Sequence, residues 1–107
     1  MLRHNTLIVE SVCPYCLERA PIKIQFQYGE VWDYVYYIND TIKWGSVNAG
    51  IPGRRLVVLD GAAEECYACG ETLDYFIFTE YDVIKSVRQN DGEYQFFGAE
   101  GFQVLDE

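Results

Sequence analysis

Polar and apolar residues alternate with a period of two along most of this chain, the spacing of a strand with one face turned inward. Thr6 to Val12 predicts a first strand. Ile22, Ile24, Phe26 and Tyr28 fall on one face of a second, over residues 22–28. Trp32, Tyr34 and Tyr36 line one face of a third, and Val35 and Tyr37 line the other. Asn39 and Asp40 tolerate positive φ, so they predict a two-residue turn that joins this strand to Thr41–Trp44 as a hairpin. Residues 45–53 are loop chemistry, and Leu56–Leu59 is a short strand ended by Asp60 and Gly61. A meander follows. Leu73–Thr79 is a strand, Glu80-Tyr81-Asp82 a turn, and Val83–Arg88 a strand with Val83, Lys85 and Val87 opposite Ile84 and Ser86. Asn90-Asp91-Gly92 turns the chain again before Tyr94–Phe97 and Phe102–Leu105. Helical signals are weak: one turn at Ala62–Tyr67, or Asp82–Gln89 if the period there is 3.6. The pattern predicts an all-β, mostly antiparallel domain of roughly eight or nine short strands.

The 107 residues make one domain, 1–107. Half are apolar and 16% aromatic, a globular composition. No apolar run reaches the roughly 18 residues of a membrane span, so no membrane partner is expected. Glu10 interrupts the N-terminal stretch before a signal-like core forms, which leads to the expectation of a cytoplasmic protein. The single histidine, His4, reads as a surface residue of the first strand. One imidazole so placed argues against Ser-His-Asp and Cys-His hydrolases. Core and cross-strand pairing is the favoured role for Trp32, Tyr34, Tyr36 and Trp44, ahead of a ligand platform. Seventeen aromatic residues in so small a chain still leave room for one exposed patch, which would mark a contact surface.

Eight basic and seventeen acidic residues give a net charge of −9. Residues 1–55 carry six basic and five acidic side chains, whereas residues 56–107 carry two and twelve. Such a field repels nucleic acid phosphate and favours a basic protein partner, or simply solubility. Arg3, Arg19, Lys23, Lys43, Arg54 and Arg55 all lie in the near-neutral half, where a local basic patch is the one opening for nucleic acid. Asp60, Glu64, Glu65, Glu71, Asp74, Glu80 and Asp82 offer many acid–base pairs, but no spacing singles one out. The glycine-rich residues 45–53 lack the Gly-Lys-Ser/Thr ending of a phosphate loop.

All four cysteines fall in two matched pairs, Cys13/Cys16 and Cys66/Cys69, with 49 residues between the pairs. A C-x-x-C turn points two sulfurs at one cation, and two such turns supply the tetrahedral S₄ set that structural zinc prefers. Gly70 follows Cys69, where positive φ lets backbone N–H groups approach the sulfurs. Leu17 occupies the corresponding place after Cys16. Structural disulfides would need an oxidising compartment, and a bond within C-x-x-C closes too small a loop to constrain the unfolded chain much. The pairing resembles the zinc ribbon class, in which two cysteine knuckles on separate hairpins clamp one Zn²⁺. The resemblance covers residues 12–17 and 65–70 and implies ligands at Cys13, Cys16, Cys66 and Cys69. The separation between knuckles is longer than in compact ribbons, so a β-rich insert lies between them. Four thiolates leave no open position for water, so such a zinc would be a staple and not a catalyst.

Cys13-Pro14-Tyr15-Cys16 is also identical to the active-site tetrapeptide of glutaredoxins, and the Leu17 to Ala20 stretch resembles the start of their helix. That resemblance implies a thiol-disulfide oxidoreductase with Cys13 as nucleophile and Cys16 as resolving thiol. The chemistry needs Cys13 at a helix N-terminus, where the dipole lowers the thiol pKa. Pro21 and the alternation of Ile22 to Tyr28 oppose such a helix, and the second C-x-x-C has no role in that scheme. The sequence therefore favours a zinc-stapled protein-interaction module without catalysis of its own. An inhibitor or immunity-type protein for a basic partner is one form of it, and the glutaredoxin-like enzyme is the alternative.

Overall fold

The computed structural model describes residues 4–13, 16–46, 48–65, 70, 74–92 and 101–105. They form strands β1 (Asn5–Val12), β2 (Arg19–Phe26), β3 (Gly29–Glu30), β4 (Val35–Tyr36), β5 (Asn48–Ala49), β6 (Val57–Ala63), β7 (Asp74–Glu80), β8 (Val83–Gln89) and β9 (Phe102–Val104). No helix occurs among the described residues, and none is therefore long and apolar enough to cross a membrane. The all-β, mostly antiparallel expectation is met.

The main sheet runs β4-β1-β2-β6-β7-β8, and β9 also pairs with β6. Within it only β1–β4 is parallel. The sheet curls until its two edges nearly meet. The chain leaving β4 turns and reaches β8, where the Asn39 amide donates to the Ile84 carbonyl at 2.7 Å and the Ile84 amide to the Asp40 carbonyl at 2.9 Å. The Ile42 amide donates to the Asp82 carbonyl at 2.7 Å. The concave side holds the core: Leu7 and Val9 of β1, Ile24 and Phe26 of β2, Val57 and Leu59 of β6, Tyr75 and Ile77 of β7, and Ile84 of β8, with Tyr28, Tyr36 and Ile42. Each such side chain contributes about 1.5–3 kcal/mol by leaving water. On the opposite face of the β6–β7 pair, Val58 and Phe76 are fully buried as well, and the Arg88 guanidinium lies 5.6 Å from the Phe76 ring and 5.5 Å from the Phe78 ring.

Several expectations need correction. The turn at Asn39-Asp40 forms, with Asn39 at φ 77° and the Asp40 amide donating to the Tyr37 carbonyl at 3.0 Å, but it joins no hairpin. Thr41 bridges to Val83 instead, because the far edge of the curled sheet reaches it first. Asp33, at φ 58°, breaks the phase of the third predicted strand. Tyr36 stays in the core, Tyr34 is half-buried, and Trp32 is 58% exposed. Strand β6 does not end at Asp60 and Gly61 but runs through them. A Cβ on Gly61 would stand 2.6 Å from Ile24 Cγ2, so glycine is there to let β2 and β6 pack closely. Of the two helix candidates, Val83–Gln89 is strand β8, and in the other Ala62 and Ala63 end β6 while Cys66 and Tyr67 lie outside the described residues. In β8 the register shifts so that Phe78 faces Ser86 and Thr79 faces Ile84, leaving Lys85 as an extra residue. This bulge puts Ile84 and Val87 on the same core side, where strict alternation separates them. The predicted strand Tyr94–Phe97 lies outside the described residues.

Asn5 sits in phase with Leu7 and Val9 and is wholly buried. Its amide nitrogen donates to the Tyr28 carbonyl at 3.2 Å and the Glu30 carbonyl at 3.0 Å. Its oxygen accepts from the Trp32 amide at 3.2 Å and the Tyr34 amide at 3.1 Å. One side chain thus satisfies four backbone groups of the segment between β2 and β4, whose regular pairing among the described residues is limited to the two-residue β3–β5 ladder.

Candidate metal centre

Cys13 closes β1 and Cys16 lies in the short connection to β2. The Cys13 amide donates to the Glu18 carbonyl at 3.0 Å, and the Leu17 amide donates back to the Cys13 carbonyl at 2.8 Å. These two bonds wrap the backbone tightly around the C-x-x-C. Cys13 is buried and Cys16 half-buried. Leu17 takes φ 62°, a left-handed conformation that costs an L-residue with a side chain roughly 1–2 kcal/mol. It does so with 75% of its surface exposed, so no packing of its own side chain explains the conformation.

The second pair is carried by the β6–β7 hairpin. Strand β6 runs antiparallel to β2, with Ile24 facing Ala63 and Gln25 facing Ala62, so it heads toward the end of the sheet where Cys13 lies. The Glu64 amide extends this ladder by one bond, to the Lys23 carbonyl at 2.9 Å. The next residue of β2 facing that side is Pro21, which has no N–H to give. The chain rejoins the sheet at Asp74, opposite Ala62. Cys66 and Cys69 lie outside the described residues, so the structure describes two of the four candidate ligands and shows that both hairpins head toward one end of the sheet. Gly70 has φ 75°, and a Cβ there would meet nothing within 4 Å, so its glycine answers to backbone conformation alone. Leu17 and Gly70, each one residue past the second cysteine of its pair, share the same left-handed backbone.

Other candidates lie elsewhere. His4 precedes β1 and is a whole strand away from Cys13, roughly 30 Å at strand rise. Among the described residues no three His, Cys, Asp or Glu side chains gather as a cation site. Glu80 and Asp82 flank the β7–β8 turn at the end remote from Cys13. Asp60 and Asp74 share the convex face of β6–β7, where burial, with Asp74 adding, raises the Asp60 carboxyl above its ordinary range. The described residues of 45–53 are loop apart from β5, which pairs with β3, and the Gly45 amide is held by Asn48 Oδ1 at 2.7 Å. The helix that a glutaredoxin-like Cys13 requires is absent, since β2 begins three residues after Cys16.

Sequence reasoning missed two groups. Asn5 is one; its signal was a polar residue in step with an apolar alternation. The other is at the Asn5 end of the sheet, where the Tyr34 hydroxyl donates to Glu30 Oε1 at 2.6 Å and Lys43 Nζ lies 4.4 Å from the Tyr34 ring centre. The Glu30 hydrogen bond holds the Tyr34 phenol above its usual range, with burial adding. Glu30 and Tyr34 are four residues apart, but their contact depends on the break at Asp33 and carried no signal in the alternation. No family model matches the chain, and no curated protein or solved structure matches it.

Proposed function

We propose that Cys13, Cys16, Cys66 and Cys69 hold one structural Zn²⁺, and that the chain is a small protein-interaction domain with no catalysis of its own. The observation that carries the metal reading is the shared left-handed backbone at Leu17 and Gly70, on two hairpins that the β2–β6 register directs to one end of the sheet. Leucine in that conformation is unfavourable by itself, and a cation bound by the adjacent thiolates supplies a reason to hold it. The interaction reading is supported by exposed Trp32, Val35, Tyr37 and Ile38, a cluster of large apolar residues within one stretch. With a net charge of −9, a basic protein is the favoured partner, and an inhibitor or immunity-type role would suit that charge.

The test is metal content by mass spectrometry on protein purified under reducing conditions, with a parallel thiol titration. One zinc per chain, with four thiols masked until a chelator is added, is the expected result. Cys66→Ser should then lose the metal and melt lower, because structural zinc contributes on the order of 10 kcal/mol of apparent binding energy in small domains. Metal-free protein whose thiols react at once would overturn the reading.

A further inference from the structure

We propose that Asp91 is a site of spontaneous backbone modification. Its carboxyl condenses with the Gly92 amide to a cyclic imide, which water reopens to isoaspartate, while the sheet keeps the same dipeptide intact at Asp60-Gly61. The inference is independent of the metal reading and concerns a turn motif that reading leaves unused.

The chain contains two Asp-Gly pairs, Asp60-Gly61 and Asp91-Gly92. Glycine has no Cβ to keep its nitrogen from the preceding side chain. The reaction needs no second molecule but water. The Gly92 nitrogen attacks Asp91 Cγ, and the amide proton leaves with the hydroxyl of the protonated carboxyl as water, closing the ring. Water then adds to one of the two ring carbonyls. Opening at Cγ restores aspartate. Opening at the main-chain carbonyl leaves the backbone running through Cβ and Cγ, longer by a methylene, with the former main-chain carbon as a free carboxylate. No oxidant, reductant or group donor is consumed.

Folding sets the two pairs apart, because the peptide plane between the residues must turn its nitrogen toward the side chain. Asp60 and Gly61 lie inside β6, facing Phe76 and Tyr75 of β7. The Asp60 amide donates to the Gly101 carbonyl at 2.8 Å, on the β9 side, so by alternation the Gly61 amide points into the β6–β7 ladder. Ile24 Cγ2 would stand 2.6 Å from a Cβ on Gly61, so this plane is also hemmed in by packing. Asp91 and Gly92 lie past the end of the β7–β8 pairing, which closes with Gln89 facing Tyr75 and the Asn90 amide donating to the Asp74 carbonyl at 2.9 Å. Both residues are exposed, and Gly92 has left the extended backbone at φ 84°. The Asn90 side-chain oxygen accepts from the Gly92 amide at 2.8 Å, and Arg88 faces the Asp91 carboxylate at 3.9 Å with both side chains about half in water. Such surface contacts open at little cost, whereas a ladder amide is released only when the sheet opens.

Incubation of the native protein in ¹⁸O-labelled water tests the proposal, since every ring opening leaves an ¹⁸O atom in the new carboxyl. The protein is returned to ordinary water and cleaved after Arg55, Lys85 and Arg88, which puts Asp60 and Asp91 on separate fragments. Mass spectrometry with chromatography should show the fragment beginning at Gln89 gaining ¹⁸O and splitting into aspartate and isoaspartate forms. The fragment beginning at Leu56 should label at least about tenfold more slowly, because its reaction waits for the β6–β7 ladder to open. In urea-unfolded protein the two fragments should label alike. Asp91→Ala should remove the label from its own fragment. No ¹⁸O at Asp91, labelling without an isoaspartate form, equal labelling of the two fragments in the folded protein, unequal labelling in urea, or label that survives Asp91→Ala would each overturn the proposal.

Discussion

Replacing Asn5 by leucine keeps the branched shape of the side chain, at a larger volume, and removes all of its polar atoms. Two carbonyls, of Tyr28 and Glu30, and two amides, of Trp32 and Tyr34, then lose their partner. The bond to Tyr28 is buried, and an orphaned buried group costs about 1–3 kcal/mol. The other three are partly accessible and recover some hydration, so about 0.5–1 kcal/mol each is appropriate. The expected loss is about 2.5–6 kcal/mol, a large share of the roughly 5–15 kcal/mol available to a domain. Urea unfolding at 25 °C, followed by tryptophan fluorescence, measures it; Trp32 reports the affected segment directly. Asn5→Asp supplies a second reading. Its carboxylate would face two carbonyls where the amide donated, so its folded-state pKa must rise. Such a variant should regain stability as pH falls, while Asn5→Leu should not. A loss below about 1 kcal/mol for leucine would sink the view that this side chain organises the β2–β4 segment.

Three further outcomes are expected. Leu17→Gly relieves the left-handed strain and should raise stability by about 1 kcal/mol in thermal or urea unfolding; a loss would mean that the leucine side chain makes contacts that outweigh it. Gly61→Ala places a methyl against Ile24 and Ile77 and should cost about 1–3 kcal/mol in urea unfolding; a near-neutral result would refute the close approach of β2 and β6 at that glycine. Burial raises the Asp60 carboxyl, so the folded state takes up its proton before the unfolded chain does as pH falls. Asp60 therefore opposes folding at neutral pH and does so less in acid, and Asp60→Asn should stabilise most near pH 7 with a gain that shrinks below the folded pKa.

The period-two pattern was enough to place β1, β2, β7 and β8, because each has one face in the core and one in water. It failed where tertiary structure resets the phase. Lys85 bulges, and no local signal distinguishes a bulge from plain alternation. Gly61 looked like a stop because a glycine in a strand is read locally, while its reason, Ile24 on a neighbouring strand, is 37 positions away. The Asn39-Asp40 turn was legible from residue type, yet its partner was not, since pairing with β8 depends on how far the sheet curls. At the cysteines, spacing named four candidates, and Gly70 the positive φ after the second pair; the same conformation at Leu17 was not legible, because leucine there reads as an irregular knuckle. What spacing does not contain is the register that aims both hairpins the same way, which follows from Ile24 facing Ala63.

The joint between β2 and β6 carries a mechanical consequence. The β1–β2 hairpin is laddered along its whole length, from Asn5 facing Phe26 to Val12 facing Arg19, and the β6–β7 hairpin from Val57 facing Thr79 to Ala62 facing Asp74. Between them, among the described residues, Ile24–Ala63 and Gln25–Ala62 pair, with the Glu64–Lys23 bond beyond. The sheet is two stiff plates on a narrow hinge. Sub-global opening should begin at that hinge, with its amides exchanging before those inside either hairpin. A tie across the open ends of the plates acts at the greatest distance from the pivot, where it resists their separation most.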